Sequence, residues 1–322
     1  MGFISRQLEK KYRDVLFVRH EPDGRLFYFS HTDFDGLKKT DFDFKTRKGH
    51  LLKGGFYYYD NPRQDRLIVF DHGLGTGHRA YMREIETLCK RGYMVYSYDH
   101  TGTGLSEGEG VQGLSGSLLD LDDCIRTLKR VSNLQGMEIS VVGHSWGGYS
   151  ALNILGYHHD IHSVVAMSAF ISVKAMHRQL VPAIAFPIRR RLMEIERETN
   201  RLHADSSAFD VLNKSNKPVL IIHSLDDKRV DAKRNILHLR KETPERTNLE
   251  FILQNGKGHN VSYTTEAAEY KNAFYKQLKS LKKQGLLETE EEKHEFISAF
   301  DWYRMTEQDS ELWEKIFIFL DK

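Results

Sequence analysis

Residues 139–147 read Ile-Ser-Val-Val-Gly-His-Ser-Trp-Gly, and this stretch decides the fold of the chain. The apolar run at residues 139–142 is typical of a buried strand, and a helix-permissive sequence follows Gly147. The stretch therefore predicts a strand, a tight turn that carries Ser145, and a helix. Glycines at 143 and 147 suit such a turn, because bulky side chains there would collide with the neighbouring strand and helix. We expect the Ser145 hydroxyl to stand clear at the end of a sheet.

Five further apolar runs flank this strand in the sequence and alternate with segments of helical periodicity. Because the runs are continuous rather than alternating, they suit strands that are covered on both faces, as in a parallel sheet. Upstream, residues 42–44 and 55–59 predict antiparallel strands joined through Lys48-Gly49. The sequence thus predicts a doubly wound, mostly parallel α/β sheet with an antiparallel edge. The six predicted parallel strands are residues 67–70, 94–98, 139–142, 164–168, 219–222 and 249–253.

Composition narrows the class of protein. The chain has 322 residues, of which 40% are hydrophobic, enough to bury a sizeable core. Its formal charge of +2 creates no global field, so we expect no nucleic-acid partner. Two cysteines make no disulfide framework, the first 20 residues hold no apolar signal region, and no apolar run has transmembrane length. We therefore predict a cytoplasmic protein without integral membrane association.

Two segments interrupt the alternation of strands and helices. Residues 171–215 are too long for one crossover helix and predict a short helical cap or lid. Residues 264–308 are charged and predict helices that form either a partner surface or an exposed helical hairpin, and we favour the hairpin. Residues 1–40 predict an N-terminal extension that either packs loosely or contacts another subunit, which leaves a homodimer open. The α/β core then comprises residues 41–170 and 216–322.

The predicted cap carries two ambiguous patterns. Residues 180–188 are apolar, and they either form a lid that receives an acyl chain or cover the core. The cap arginines either bind a phosphate or carboxylate headgroup or form a solvated helix face paired with Glu194, Glu196 and Glu198, and the helical spacing favours the second interpretation. These arginines are Arg178, Arg189, Arg190, Arg191, Arg197 and Arg201.

A serine nucleophile needs a base and an acid that orients the base. Asp227 follows the predicted strand at residues 219–222 and is the predicted acid, with Asp226 as the alternative; one of the two is expected to cap the turn into the next helix. His259 follows the last predicted strand between glycines and is the predicted base. His144 precedes the nucleophile, and we expect it to point into the sheet as a structural residue.

Donors for the developing oxyanion are expected on two backbone segments. One is the N–H of Trp146, directly after the nucleophile. The other is the N–H of Leu74, in a glycine-rich loop that begins His72-Gly73 and lacks the Gly-Lys-Ser/Thr ending of a nucleotide-phosphate loop. The histidines at 158, 159 and 162 lack the spacing of a zinc site, so the sequence predicts no metal.

Together these motifs resemble the α/β-hydrolase superfamily, in which the triad follows the chain order Ser, Asp, His. More narrowly, they resemble its lysophospholipase, monoacylglycerol lipase and serine aminopeptidase-like branch. The resemblance covers residues 42–259 and the final helix, and it implies hydrolysis through a covalent acyl-serine with neither metal nor organic cofactor. The motifs that carry it are residues 143–148, His72-Gly73, residues 99–106, Asp227 and Gly258-His259.

Three departures from that branch bear on the substrate. Trp146 stands where methionine is commoner, and Thr101 and Thr103 replace an arginine and a histidine. Residues 264–308 have no counterpart. These differences leave the predicted triad intact and leave the specificity open.

We predict a serine hydrolase of carboxylic (acyl) esters, of the lysophospholipase or monoacylglycerol lipase kind, which acts on a small-molecule or lipid acyl ester. A serine aminopeptidase with the same triad is the first alternative, but it needs an acidic group near the cap, which holds more arginine than acid. An acyltransferase would differ only in whether an acceptor alcohol outcompetes water. A non-catalytic binding protein is disfavoured because the predicted triad is complete.

Overall fold

The computed structural model describes residues 3–75, 77–244 and 246–322, with side chains from residue 6 onward. Within these ranges the chain forms an eight-stranded sheet in the order β1-β4-β6-β5-β7-β8-β9-β10 and a separate pair, β2-β3. Only β4 runs antiparallel to its neighbours in the large sheet, which confirms the predicted α/β class. The strands are β1 Lys38–Asp41, β2 Phe44–Lys45, β3 Leu51–Leu52, β4 Gly54–Tyr58, β5 Arg66–Asp71, β6 Met94–Tyr98, β7 Glu138–His144, β8 Val164–Met167, β9 Val219–Ser224 and β10 Leu249–Gln254.

The antiparallel edge differs from the prediction. Strand β4 pairs with β1, so that Thr40 lies opposite Phe56, and of the predicted residues 42–44 only Phe42 donates a backbone hydrogen bond to β4, to the Gly54 carbonyl oxygen at 3.1 Å. The hairpin around Lys48-Gly49 instead joins β2 to β3. The predicted pairing was wrong because β1 is an exposed, polar edge strand, whose sequence carries no apolar signal.

Helices cover both faces of the sheet. Alternate residues of β5 point to opposite sides, with Leu67 and Val69 in one buried cluster and Ile68 and Phe70 in the other. Among the described residues, no helix is both long enough and apolar enough to cross a membrane. The helices are α1 Phe3–Leu16, α2 Met82–Lys90, α3 Gly116–Leu128, α4 Trp146–Ile154, α5 Val173–Leu180, α6 Phe186–Asn200, α7 Ala208–Lys214, α8 Ile236–Glu242, α9 Thr265–Lys283, α10 Glu290–Ser298, α11 Trp302–Met305 and α12 Ser310–Leu320.

The N-terminal residues pack firmly on the rest of the chain, so the interpretation of a loosely packed extension is wrong. Tyr12 and Leu16 of α1 are buried in the larger cluster, and Phe29 lies in the cluster on the opposite face. The Arg19 guanidinium donates to the carbonyl oxygens of Gly104, Ser106 and Gly108 at 2.6, 2.7 and 3.1 Å. Strand β1 also spans the boundary that the sequence placed at residue 40.

The cap between β8 and β9 consists of α5, α6 and α7. Its surface arginines pair along and beside α6, for example Arg191 with Glu198 and Arg197 with Asp205, which agrees with a solvated helix face. Glu196 does not take part, contrary to expectation. It is buried and accepts hydrogen bonds from Tyr12 and from the Ser115 hydroxyl, because α1 covers that side of the helix.

Helices α9, α10 and α11 form the segment predicted as an exposed hairpin. They enclose a third buried cluster that includes Phe274, Leu278 and Phe296. Tyr263 and Gln308 pair in an antiparallel bridge where the segment begins and ends. The hairpin prediction was therefore incomplete, because one face of these helices packs inward and, as shown below, forms part of a cavity wall.

Candidate active site

Ser145 occupies the sharp turn between β7 and α4. Its backbone has φ 57° and ψ −109°, a region that non-glycine residues avoid. A Cβ atom at Gly143 would collide with the Gly147 carbonyl oxygen, and one at Gly147 would collide with the Asp71 carbonyl oxygen. The N–H of Ser145 donates to the Met167 carbonyl oxygen at 2.8 Å. The turn is thus held by both neighbouring strands, β5 and β8. The close contacts at Gly143 and Gly147 explain why the sequence has glycine at these two positions.

The structure brings Ser145, His259 and Asp227 together. The Ser145 Oγ lies 2.8 Å from His259 Nε2, and His259 Nδ1 lies 2.7 Å from Asp227 Oδ2. Burial would raise the pKa of Asp227, but the hydrogen bond from His259 and the N–H groups of Val230 and Arg229 outweigh it and hold that pKa below its ordinary value. An ionised Asp227 fixes the His259 tautomer with its proton on Nδ1, which leaves Nε2 free to accept from Ser145.

Asp226 has a different task from its neighbour. Its Oδ1 accepts from the backbone N–H groups of Gly256 at 3.0 Å and Gly258 at 3.3 Å, and also from the Ser224 hydroxyl. These bonds tie the β9 loop to the loop that carries His259. The alternative that the sequence left open is therefore settled geometrically: Asp227 faces the imidazole, and Asp226 holds the loop.

The two amides predicted as oxyanion donors lie beside Ser145. Trp146 is the first residue of α4, where helix geometry leaves the N–H without an intrahelical partner. Leu74 follows Gly73, at which a Cβ atom would lie 3.4 Å from Ser145 Cβ and collide with the Tyr81 hydroxyl. The Trp146 side chain points away into the core, and its indole N–H donates to the Leu114 carbonyl oxygen at 2.6 Å.

Comparisons with known proteins give matches that agree with the observed fold. Residues 62–207 match the family model described as serine aminopeptidase, S33. An uncharacterized protein of Bacillus subtilis, YqkD, is 26% identical over 277 residues, which is 81% of this chain and 86% of that protein. An esterase of Pyrococcus furiosus superposes with TM-score 0.58 at 21% identity, over 81% of this chain and 95% of that one. Est1E of Butyrivibrio proteoclasticus, with ferulic acid bound, gives TM-score 0.57 at 18% identity, over 73% and 98%.

The chain has the α/β-hydrolase fold, as its structural neighbours show, and the predicted fold is therefore confirmed. The family model agrees with the resemblance stated from the motifs over the residues that it matches. That match covers less than half of the chain and ends within the cap, before Asp227 and His259.

His144 does not simply point into the sheet, as the sequence suggested. It lines the cavity between Tyr81 and the His259 backbone: its Nδ1 lies 3.0 Å from the Tyr81 hydroxyl, and its Nε2 lies 2.7 Å from the His259 carbonyl oxygen. Burial and the nearby His259 lower its pKa to about 3, so the ring is neutral. His144 thereby fixes the backbone of the loop that carries His259.

A buried ionic network beneath the turn was not predicted. His100 Nε2 lies 3.0 Å from Asp71 Oδ1, and His100 Nδ1 lies 3.3 Å from Asp120 Oδ2. Burial disfavours a charged imidazole, but the two carboxylates overcome it and raise the pKa of His100 to about 9. His72, predicted as part of the oxyanion loop, accepts a hydrogen bond at its Nε2 from the backbone N–H of His100 at 3.0 Å. The network therefore supports both the oxyanion loop and Asp71, against which the turn at Gly147 closes.

The protein has a cavity of about 540 Å³ beside Ser145 and His259. Sequence reasoning missed the part of its wall that comes from residues 26–29, α9 and α11. The described lining includes none of residues 171–215, so the predicted lid does not form this wall. At the tip of that lid, Ile184 is 95% exposed, while Val181 and Ile188 are buried in the core. The apolar side chains of the cavity include Leu26, Phe27, Phe29, Phe274, Trp302 and Met305.

The cavity also carries more basic than acidic side chains. Glu84 and Asp226 are the acidic members of its described lining. In the part of the chain that the structure describes, no group of three or more His, Cys, Asp or Glu side chains is placed to hold a metal ion. The basic members are Arg79, Arg83, Lys228, Arg229, Lys257 and Lys271.

Proposed function

We propose that the protein is a serine hydrolase that cleaves carboxylic (acyl) esters through an acyl-enzyme. One observation carries the proposal: hydrogen bonds run from Ser145 through His259 to Asp227 at the edge of a cavity. A chain of nucleophile, base and orienting acid is what activation of a serine hydroxyl requires. The esterase named among the structural neighbours agrees with this assignment.

In the proposed reaction, His259 Nε2 takes the Ser145 proton as Oγ bonds to the acyl carbon. The N–H groups of Trp146 and Leu74 stabilise the oxyanion that forms. His259 then protonates the departing alcohol and leaves an acyl-serine. A water molecule, deprotonated by His259, adds to the acyl carbon, and collapse of the second intermediate returns the proton to Ser145 and releases the acid. Asp227 holds the imidazole orientation throughout.

The proposed substrate is an ester with an apolar part, as in a monoacylglycerol or a lysophospholipid. Aromatic side chains of the cavity wall that remain partly exposed, such as Phe27 and Trp302, supply a surface that such a part would cover. A cavity of about 540 Å³ is in the size range of small-ligand sites.

A serine aminopeptidase is the second candidate, because the matching family model carries that description. Such an enzyme needs a carboxylate that binds the substrate ammonium. Of the two carboxyls in the described lining, Asp226 is held by glycine N–H groups, and burial raises the pKa of Glu84, so its charged form is disfavoured. The excess of basic side chains would also repel a cationic amine. The cavity charges therefore favour the esterase.

The test compares para-nitrophenyl esters of increasing acyl length with amino-acid para-nitroanilides, using the wild-type protein and Ser145→Ala. We expect turnover of the esters and a loss on the order of 10⁴-fold or more in the variant. Release of free acid in the presence of an added alcohol separates hydrolysis from acyl transfer. Turnover of anilides alone would establish the aminopeptidase, and ester turnover that survives Ser145→Ala would overturn the proposed mechanism.

A further inference from the structure

Lys271 places a half-buried ammonium group in the cavity without a carboxylate partner. Its Nζ lies 3.3 Å from Asn260 Oδ1 and 3.4 Å from the Tyr263 hydroxyl, two long contacts for a group with three donors. It also lies 4.5 Å from the centre of the Tyr263 ring. No Asp or Glu oxygen of the described residues lies within 4.0 Å of this Nζ. Lys257 differs, because Asp309 neutralises it at 2.9 Å.

Other basic side chains reinforce the charge at Lys271. Arg229 and Lys228 line the same cavity, are exposed, and make no ion pair within the described ranges. Burial and the positive charge of Arg229 lower the pKa of Lys271 to about 8, although Glu84 acts in the opposite direction. Arg229 and Lys271 line the same cavity, so an anionic group bound there would be attracted to both cations and would favour the ammonium form of Lys271.

The two acidic groups of the cavity do not neutralise this site. Glu84 is buried with a raised pKa, and its Oε1 accepts from the Ser262 hydroxyl at 3.2 Å. Asp226 is bound to the glycine N–H groups of the His259 loop. The charge of Lys271 also contributes to the low pKa of His144, which touches His259. The basic site therefore adjoins the reacting groups.

We propose that the cavity binds a second, anionic group of the ester substrate, a carboxylate or a phosphate, between Lys271 and Arg229. This inference rests on the proposed esterase function and narrows its substrate to acyl esters that carry a negative charge on the acid or the alcohol part. The site depends on α9, which lies outside the segment matched by the family model.

The test uses matched charged and neutral esters. For the acid part, mono-para-nitrophenyl glutarate is compared with para-nitrophenyl pentanoate. For the alcohol part, para-(carboxymethyl)phenyl and para-(phosphonomethyl)phenyl butanoate are compared with para-propylphenyl butanoate, which separates carboxylate from phosphate. Lys271→Gln removes the central charge, and Lys279→Gln, on an exposed turn of the same helix, is the matched control. Melting curves verify that each variant is folded.

We expect kcat/KM to favour a charged ester over its neutral match by about tenfold or more, through a lower KM. Lys271→Gln should abolish the preference, and Lys279→Gln should retain it. Equal turnover of charged and neutral esters, or a preference that survives Lys271→Gln, would overturn the inference and leave the esterase intact. If no ester is cleaved, calorimetric binding of the same pairs to Ser145→Ala decides separately: tighter binding of a charged ester supports the anionic site, and equal binding rejects it.

Discussion

Two adjacent carboxylates, Asp226 and Asp227, show that the role of a residue depends on the orientation of its side chain. Asp226 and Asp227 share a loop, yet Asp227 accepts from the His259 ring and Asp226 from backbone amides of the loop that carries His259. Their sequence position after β9 predicted that one would orient the imidazole and that one of the two would cap a turn. Asp227 does both, since its Oδ1 accepts from the N–H groups of Arg229 and Val230 at 2.8 and 3.0 Å. The sequence did not show the role of Asp226, because its partners, Gly256 and Gly258, lie about thirty residues further along the chain.

We expect Asp227→Asn to lower kcat by about 10⁴-fold, because an amide stabilises the wrong His259 tautomer and cannot stabilise the imidazolium. Asp226→Asn removes the same charge one residue away and keeps an acceptor oxygen for the glycine amides. It should cost less than about tenfold. Steady-state kinetics on one neutral ester check both variants. Equal losses would mean that Asp226 shares the role assigned to Asp227.

Residues that line the cavity far from any motif escaped the sequence analysis. Ser145, Asp227 and His259 each follow a strand, where an α/β sheet places its functional groups, and this made them visible. Lys271 and Glu84 lie within helices α9 and α2, among other charged residues. Only the packing of those helices brings them into one cavity, and no local pattern encodes that packing.

At the scale of elements, the hairpin α9–α11 shows that a highly charged sequence can contain a helix face that packs in a core. Phe274, Leu278 and Leu281 recur at helical spacing on α9, which is the signal of a face that packs. The surrounding lysines and glutamates outnumber this stripe and favoured an exposed hairpin. In the structure, Phe274 is fully buried, and its ring centre lies 4.8 Å from that of Phe300 and 5.1 Å from that of Trp302.

Phe274→Ala should lower the free energy of opening of this hairpin by about 3–5 kcal/mol, because it leaves an aromatic-sized void in a small core. Amide hydrogen exchange in α9 and α10 measures that opening directly. Leu286→Ala is the control, since this side chain is 40% exposed, and it should change the opening free energy by about 0.5 kcal/mol or less. Unchanged exchange in Phe274→Ala would contradict the hairpin core described here.

At the scale of the whole molecule, the first forty residues were the largest error of the sequence analysis. Their acceptors are remote: Arg19 binds carbonyl groups 85 to 89 residues away, and Tyr12 of α1 donates to Glu196 in the cap. The periodicity of apolar residues indicates local secondary structure, and it gives no information about contacts between residues so far apart in the sequence. Five of the six parallel strands, β5 to β9, were predictable for the opposite reason, because they are buried on both faces and their apolar residues are therefore continuous. Strand β10, at the sheet edge, is mostly half-buried.

The stability of the whole fold should depend on pH through His100. Its folded-state pKa of about 9 lies above the ordinary 6.5, so its contribution is complete below about pH 6.5 and is lost as pH rises through about 9. We therefore expect the difference in unfolding free energy between wild type and His100→Gln to shrink over that interval, by about 3 kcal/mol at most. Urea denaturation of both proteins at each pH measures this difference. His159→Gln, an exposed histidine, should follow the wild-type profile, and a constant difference for His100→Gln would refute a charged His100.

The α9–α11 hairpin leaves the core and returns to it at a single point. Tyr263 pairs with Gln308, and the Thr264 N–H donates to the Glu307 carbonyl oxygen at 3.0 Å. The segment between these anchors therefore begins and ends at one place, and it also contacts residues 23–33, where the Tyr303 hydroxyl donates to the Asp33 carbonyl oxygen and Lys282 pairs with Asp23. Replacing the segment would keep the order of the sheet strands. Chimeras that carry a different hairpin on this core would keep Ser145, Asp227 and His259 and would acquire a new cavity wall. The reaction and the substrate selectivity could then be changed independently of each other.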